Sequence, residues 1–305
     1  MDRLFEFVTL ILTILQIYIV ALIRAITPFD FLPKKSLRGR KILITGSGSG
    51  LGRLLSIELG KLGAEIVLWD VNEQGNQETL RTLENLNISA IAYTVNLCDS
   101  QEIKKHAELT KEEVGKIDIL INNAGVATGK LILNSTEDAI ERSFAVNIKA
   151  HFYTVQNFLP PMLEANNGHI VTIASAAGKM ASAGLADYTA TKHAAVGFHD
   201  SLVAEIAETG KTNVKTTLVC PYYFHTPMFD ATGARTRFPS LFPILQPEHI
   251  VQKIVEAIQT NQEYLVTPKS FYYVLATVNM LPYRVQEVIG QYLGLIQSLD
   301  RFNRK

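Results

Sequence analysis

Short apolar runs rich in β-branched residues alternate with longer amphipathic segments along most of this chain. Seven runs have the length and composition of strands, and most of the segments between them have helical length and spacing. Nearly continuous apolar strands that alternate with helices are typical of a parallel sheet covered on both faces. The sequence therefore predicts one doubly wound α/β domain, with strands at residues 41–45, 65–70, 89–95, 117–121, 169–175, 214–220 and 263–267.

The N-terminus has a different pattern, because no charged residue occurs from Phe7 to Ile23. This stretch predicts a helix long enough to approach a bilayer span, and it lengthens if Glu6 and Arg24 extend to the polar interface. A cleaved signal peptide is disfavoured by the acidic residues near the start and the lack of a clear small-residue cleavage site. A buried helix would not need to be apolar on every side. We predict a membrane anchor that either crosses the bilayer or lies in one leaflet.

Basic residues follow the anchor. Lys34, Lys35, Arg38, Arg40 and Lys41 lie in one short segment, and an excess of lysine and arginine beside a span marks its cytoplasmic end. The folded domain is therefore expected to face the cytosol. The predicted organisation is a hydrophobic anchor (1–27), a basic linker (28–39), the α/β domain (40–268) and an apolar, helical C-terminal extension (269–305).

The composition argues against nucleic-acid binding, a disulfide framework and a metal site. The 29 basic residues balance 29 acidic ones, so the chain has no overall field that would attract nucleic acid. Its two cysteines, Cys98 and Cys220, are too few for a disulfide framework and are expected to be reduced thiols. The histidines show no metal-ligand spacing, so no metal site is expected.

The turn after the first predicted strand, TGSGSGLG from Thr45 to Gly52, has glycine at every second position. In a doubly wound (Rossmann) fold this turn leads into the first helix, and its bare backbone N–H groups bind a dinucleotide pyrophosphate. The spacing does not fit G-x-G-x-x-G, because Leu51 occupies the sixth position, but it fits G-x-x-x-G-x-G. The predicted cofactor-binding residues of this turn are Gly46, Ser49, Gly50, Leu51 and Gly52.

Asp70 ends the second predicted strand, where a carboxylate can accept hydrogen bonds from both hydroxyls of an adenosine ribose. Its charge would repel the 2′-phosphate of NADP, and no arginine or lysine occurs at residues 47–49 or 69–74 to offset that repulsion. A solvated aspartate at a strand end is the alternative, but it leaves the register with the glycine turn unexplained. The cofactor is therefore predicted to be NAD.

Tyr188 and Lys192 lie in Y-T-A-T-K, and their i, i+4 spacing places both on one face of a predicted helix. A tyrosine hydroxyl with a pKa of about 10 is a poor base, but a nearby ammonium favours its phenolate. Tyr188 is thus predicted to be an acid/base group whose pKa is lowered by Lys192. Ser175, at the end of the fifth strand, can hydrogen-bond a substrate oxygen, and Asn147 lies on a preceding helix.

These motifs and the N-N-A-G stretch from Asn122 to Gly125 resemble, in order and spacing, those of the short-chain dehydrogenase/reductases over residues 38–268. The resemblance implies that residues 40–268 form an NAD-binding domain. In that family a tyrosine transfers the proton, a lysine lowers its pKa and binds the nicotinamide ribose, a serine orients the substrate and an asparagine holds a water molecule. The implied catalytic residues are Asn147, Ser175, Tyr188 and Lys192, and the further cofactor contacts are Asn96, Leu97, Asn123, Gly125 and Thr226, with Tyr188 and Lys192 again.

The anchor and the segments that follow the catalytic lysine are similar to the membrane-bound branch of the family that contains retinol dehydrogenases and 17-beta-hydroxysteroid dehydrogenases. The resemblance implies a lipophilic alcohol or ketone substrate, with retinol and retinal first and a hydroxysteroid as the alternative. It also implies a homo-oligomer at the endoplasmic reticulum membrane or the lipid-droplet surface. A non-catalytic lipid-droplet coat protein is the alternative from another class, but a coat protein has no need for the catalytic set.

Two positions depart from the family pattern. Tyr222 stands where the family often has glycine, so the substrate side is aromatic, with Tyr223 and Phe224 beside it. Asn96 stands where many members have an aspartate that contacts adenine, although an amide oxygen can still accept a hydrogen bond. The apolar segments 226–245 and 270–283 are hypothesised to face the bilayer and to admit the substrate.

Overall fold

The computed structural model describes residues 2–225 and 237–294. It divides the chain into two compact units, residues 1–36 and 37–305. The first unit contains helix α1 (Asp2–Ile26) and a short 3₁₀ turn (Phe29–Phe31). Within α1, the stretch Arg3–Ile23 is exposed along its length, and it is long and apolar enough to cross a bilayer. At about 1.5 Å per residue it matches a hydrocarbon core of about 30 Å.

The second unit is built on a parallel sheet of seven strands in the order β3-β2-β1-β4-β5-β6-β7. The predicted doubly wound Rossmann fold is therefore confirmed, and every predicted strand is present. The order reverses between β1 and β4, and in such sheets ligands bind beyond the carboxyl ends of the strands at the reversal. The strands are β1 (Lys41–Thr45), β2 (Glu65–Asp70), β3 (Ala90–Thr94), β4 (Ile119–Asn122), β5 (Gly168–Ile173), β6 (Val214–Pro221) and β7 (Tyr264–Thr267).

Helices cover both faces of the sheet. Because the central strands are buried on both faces, their apolar runs are nearly continuous. One core cluster joins the sheet to the helices at residues 50–61, 73–85 and 247–260. A second cluster joins it to the helices at residues 100–113, 150–164 and 186–208. The described helices of this unit are α2 (Gly50–Lys61), α3 (Glu73–Asn85), α4 (Ser100–Glu113), α5 (Glu137–Phe144), α6 (Ala150–Glu164), α7 (Ala186–Glu208), α8 (Pro247–Thr260), α9 (Lys269–Val278) and α10 (Tyr283–Leu293).

The second unit includes residues that were predicted to belong to the linker (28–39) and to the C-terminal extension (269–305). Leu37 is buried in a core cluster, and the Gly39 N–H donates to the Gly63 carbonyl at 2.8 Å. Phe271 of α9 is also buried, with a ring centroid 5.2 Å from that of Tyr222. Residues just outside both predicted boundaries of the α/β domain thus pack into its core.

Candidate active site

The glycine turn between β1 and α2 has a conformation that only bare backbone allows. Gly46 and Gly50 have φ values of +69° and +50°, in the left-handed region that favours glycine. A Cβ on Gly52 would lie 2.0 Å from the Gly46 carbonyl oxygen, so no side chain fits there. Ser49 is the N-cap residue of α2 and makes no side-chain capping hydrogen bond, and Leu51 is buried. The turn therefore leaves open backbone at a helix N-terminus, an arrangement suited to a phosphate.

Asp70 is tied to this turn. Its carboxylate accepts from the Gly48 N–H and from the Asn72 N–H, each at 2.8 Å. A Cβ on Gly48 would lie 3.0 Å from the Asp70 Cγ, so the second glycine of the turn is needed for this contact. The glycine spacing and the strand-end aspartate contain the signal for this pairing, but the sequence interpretation did not single out Gly48.

Asn123 supports the turn from the next strand. Its side-chain amide donates to the carbonyls of Thr45 and Gly46 at 2.9 and 3.2 Å. The Thr45 hydroxyl accepts from the N–H groups of Asn123 and Ala124 at 3.0 and 3.1 Å. These contacts fasten the end of β4 to the end of β1, at the point where the strand order reverses.

Asn96 and Leu97 follow β3 and line the same cavity as the turn. The Asn96 amide oxygen accepts from the Cys98 N–H at 3.0 Å, which leaves one lone pair for a ligand. Thr226, the last predicted cofactor contact, lies outside the described residues.

Ser175, Tyr188 and Lys192 are brought together beyond the carboxyl ends of the strands. Ser175 and Tyr188 are joined by a side-chain hydrogen bond. The Lys192 ammonium lies 5.6 Å from the centroid of the Tyr188 ring and donates to the Ile173 carbonyl at 2.8 Å. Tyr188 and Lys192 are 6% and 2% exposed, so both polar groups lie in an environment largely shielded from water.

Burial is the largest influence on the pKa values of both Tyr188 and Lys192. Burial raises the pKa of Tyr188 above its ordinary value, and the hydrogen bond with Ser175 offsets only part of that increase. Burial also lowers the pKa of Lys192 to about 8. Desolvation of the phenolate is the largest effect on Tyr188 here, and the lowering of its pKa by Lys192 stays a prediction.

Asn147 lies in a π-helical segment (Ala145–Lys149) between α5 and α6, an irregularity frequent at functional sites. Its amide oxygen accepts from the Val126 N–H at 2.8 Å, and its amide nitrogen donates to the Val126 carbonyl and the Thr191 hydroxyl at 2.9 and 3.0 Å. A Cβ on Gly125 would lie 3.5 Å from the Lys192 Nζ and 3.6 Å from the Asn147 Oδ1. Gly125 therefore keeps open the space that these two groups border.

One continuous cavity of about 530 Å³ connects the glycine turn with Ser175, Tyr188 and Lys192. Its volume lies within the usual range for sites that bind small molecules and cofactors. Leu185 and Tyr223 pack with Tyr188 in one cluster, and beyond the glycine turn the cavity is lined largely by apolar and aromatic side chains. They include Val126, Met180, Leu185, Tyr222, Tyr223 and Phe224.

A buried carboxylate beside the catalytic tyrosine was missed by the sequence interpretation. The Thr128 hydroxyl donates to the Asp187 carboxylate and lies 3.0 Å from each of its oxygens. The Ser143 hydroxyl donates to the same carboxylate at 2.7 Å. It thereby ties the loop after β4 and helix α5 to the start of α7, where Tyr188 lies. An acidic residue at a helix N-terminus is commonly explained by its favourable interaction with the helix dipole, so Asp187 does not stand out in the sequence.

The residues present fit a dinucleotide better than a metal ion. The cradle of bare backbone around Gly46 and Gly52 is suited to a pyrophosphate, and Asp70 borders the same cavity. No group of three or more His, Cys, Asp or Glu side chains that could hold a metal occurs within 2–225 and 237–294. Cys98 and Cys220 are free thiols.

Comparison with known proteins gives the same picture. The model of the short chain dehydrogenase family matches residues 40–236. Epidermal retinol dehydrogenase 2 of Homo sapiens is 43% identical over 88% of this chain and 87% of its own length. Short-chain dehydrogenase/reductase family 16C member 6 of Bos taurus is 44% identical over 88% and 85%, and retinol dehydrogenase 10 of Homo sapiens is 38% identical over 88% and 86%.

Solved structures share this fold together with a bound dinucleotide. A short chain dehydrogenase/reductase from Burkholderia phymatum in complex with NAD has a TM-score of 0.73 and 26% identity, over 81% of this chain and 95% of that one. A metagenomic short-chain oxidoreductase in complex with NADP has a TM-score of 0.63 and 28% identity, over 76% and 96%.

Proposed function

Because this chain belongs to the short-chain dehydrogenase family, we propose that it is an NAD-dependent oxidoreductase that interconverts retinol and retinal. The observation that carries the proposal is the single cavity that joins a dinucleotide cradle to Ser175, Tyr188 and Lys192. The apolar lining of that cavity suits a polyene alcohol, and the similar retinol dehydrogenases support this substrate class.

In this proposal Tyr188 moves the proton of the substrate oxygen, and Ser175 orients that oxygen by a hydrogen bond. When bound, the nicotinamide ring accepts or returns a hydride, and its oxidised form carries a positive charge. Lys192 binds the ribose beside Tyr188, and Asn147 holds the π-helical segment against the loop after β4. Because burial raises the pKa of Tyr188, its hydroxyl is by itself a proton donor, and formation of the phenolate needs added positive charge nearby.

The substrate class is tested by incubating the full-length chain in membranes with NAD and each of three alcohols. We expect NADH formation with all-trans-retinol to exceed that with estradiol and with a long-chain fatty alcohol. Turnover of estradiol alone would replace the retinoid assignment by the hydroxysteroid one. Turnover of none of the three, with dinucleotide bound, would contradict the proposed substrate class.

The preference for NAD is proposed to depend on the charge of Asp70. Asp70→Asn keeps an oxygen that can accept from the Gly48 N–H but removes the negative charge beside the ribose site. We expect the ratio of NAD to NADP affinity, measured by titration calorimetry, to fall at least about tenfold, or about 1.4 kcal/mol. Glu73→Gln removes a charge from the exposed start of α3 and is expected to leave the ratio unchanged. An unchanged ratio in Asp70→Asn would contradict the assignment.

We propose that α1 anchors the protein to the endoplasmic reticulum membrane or the lipid-droplet surface, with the second unit in the cytosol. The exposed apolar and aromatic side chains of α9, α10 and their connection are proposed as a second membrane contact; they include Tyr272, Tyr273, Met280, Tyr283 and Val288. Deletion of residues 1–36, which leaves the buried Leu37 in place, is expected to weaken but not abolish flotation with liposomes. Complete loss of flotation would contradict the second contact, and unchanged flotation would contradict anchoring by α1.

The oligomeric state is proposed to be a homo-oligomer. Phe152 of α6 is partly exposed and packs against Phe198 of α7, with ring centroids 4.4 Å apart. Such an aromatic pair offers an apolar contact to a second copy. Light scattering of the detergent-solubilised protein is expected to give a mass larger than one chain.

A further inference from the structure

A layer of buried polar side chains, which includes Lys192, lies between the sheet and helices α6 and α7. Its members come from the ends of β4 and β5, which are paired at Asn122 and Thr172, and from the two helices above them. We call this group the polar layer. It consists of Asn122, His151, Thr154, Thr172, Lys192 and His199, and each of these residues is buried.

Part of the polar layer is joined by direct hydrogen bonds. The Thr154 hydroxyl donates to the Asn122 amide oxygen at 2.8 Å, and the His199 Nδ1 is hydrogen-bonded to the Thr172 hydroxyl at 2.9 Å. Lys192 uses one of its three N–H donors, toward the Ile173 carbonyl, among the contacts of the described residues. The layer therefore has hydrogen-bonding capacity beyond its direct contacts.

His151 stands out within the layer. Neither its Nδ1 nor its Nε2 has a hydrogen-bond partner within the described part of the chain, and the same holds for the Asn122 Nδ2. His151 is 2% exposed, so bulk solvent does not reach its ring nitrogens. Leaving one buried polar group unsatisfied costs about 1–3 kcal/mol, and buried polar groups of this kind commonly bind an internal water molecule.

We propose that His151 binds an internal water molecule between α6 and α7 and, through it, positions the ammonium of Lys192. The inference rests on the proposed function, in which Lys192 acts beside Tyr188. His151 follows Asn147 by four residues, or about one helical turn, at the junction between the π-helical segment and α6. Its location makes it a positioning residue, since it acts on the site through Lys192.

The charge state of His151 agrees with this role. Burial, with smaller contributions from Lys192 and His199, lowers its pKa to about 3. A neutral imidazole has one donor and one acceptor, so a water molecule can bond to either nitrogen while accepting from an ammonium. The ring centroid of His151 lies 6.2 Å from that of Phe198 in α7, the helix that carries Lys192.

Two variants and one control separate this role from packing. His151→Leu introduces an apolar side chain of similar size that cannot hydrogen-bond water. His151→Gln retains a neutral donor and a neutral acceptor. Phe158→Leu, in the same helix and also buried, alters packing against Trp69 without touching the polar layer. We expect His151→Leu to lower kcat about 10- to 100-fold and to raise KM for NAD, because Lys192 also binds the ribose, with KM for the alcohol unchanged. His151→Gln is expected to recover most of that loss, and Phe158→Leu to lower only the melting temperature.

A high-resolution crystal structure of the full chain, grown without substrate, tests the site independently of turnover. We expect an ordered water molecule within hydrogen-bond distance of a His151 ring nitrogen and of the Lys192 ammonium. A dry, fully packed His151 ring would overturn the inference, as would equal loss of kcat in His151→Leu and Phe158→Leu. If the wild type turned over no alcohol, the proposed function would fail, while the crystal structure would still decide the water site.

Discussion

Replacing Tyr188 with phenylalanine is expected to lower turnover about 100- to 10,000-fold, the range that general acid–base catalysis contributes. The change removes only the hydroxyl, because the ring remains packed in the buried cluster with Ala177 and Leu185. Melting temperature and dinucleotide affinity should therefore stay close to those of the wild type. NADH formation from the best alcohol substrate, together with a dinucleotide titration, measures both quantities.

Tyr153→Phe is the matched control, since this tyrosine packs beside the second core cluster and does not line the cavity. Its turnover should equal that of the wild type. If Tyr188→Phe were as active as Tyr153→Phe, Tyr188 would have no catalytic role. The alternative of a non-catalytic coat protein predicts no turnover in either variant or in the wild type.

Gly52→Ala is expected to reduce dinucleotide affinity more than about 100-fold, or about 2.7 kcal/mol. A methyl group there would lie 2.0 Å from the Gly46 carbonyl oxygen and 2.7 Å from the Asn123 Nδ2, so the turn must move and its N–H groups lose their alignment. The melting temperature should also fall, because both contacts involve backbone or a hydrogen-bonded amide. Calorimetric titration with NAD and thermal melting check the two effects.

Gly197→Ala is the control for this substitution. Gly197 lies within α7, and a Cβ there would meet no atom within 4 Å. Replacing a helical glycine by alanine stabilises a helix by about 1 kcal/mol, so this variant should bind NAD normally and melt slightly higher. Wild-type NAD affinity in Gly52→Ala would show that the glycine turn does not hold the dinucleotide.

The sheet and the glycine turn could be predicted from the sequence because their signals are local. Continuous apolar runs such as 41–45 have few alternatives to a buried strand, and positive φ values at Gly46 and Gly50 are what a glycine-rich turn permits. The spacing of Tyr188 and Lys192 likewise fixes their common helix face. The structure brings both near Ser175, as the motif predicts.

The parts of the site that could not be predicted depend on packing between distant segments. The raised pKa of Tyr188 results from burial, and its sign depends on how completely the cavity walls exclude water. The anchoring of Asp187 joins three separate elements through Thr128 and Ser143. The π-helical register around Asn147 likewise has no signature in the order of residues.

We propose that a hydride passes directly from the carbinol carbon of a lipophilic alcohol to a nicotinamide bound in this cavity. The decisive substrate is all-trans-retinol with both carbinol hydrogens replaced by deuterium, incubated with NAD and the protein in membranes. We expect one deuterium in each NADH formed, retinal as the other product, and almost none of either with Tyr188→Phe. Retinal formed without deuterium in the NADH, or deuterated NADH formed equally well by Tyr188→Phe, would contradict the proposal.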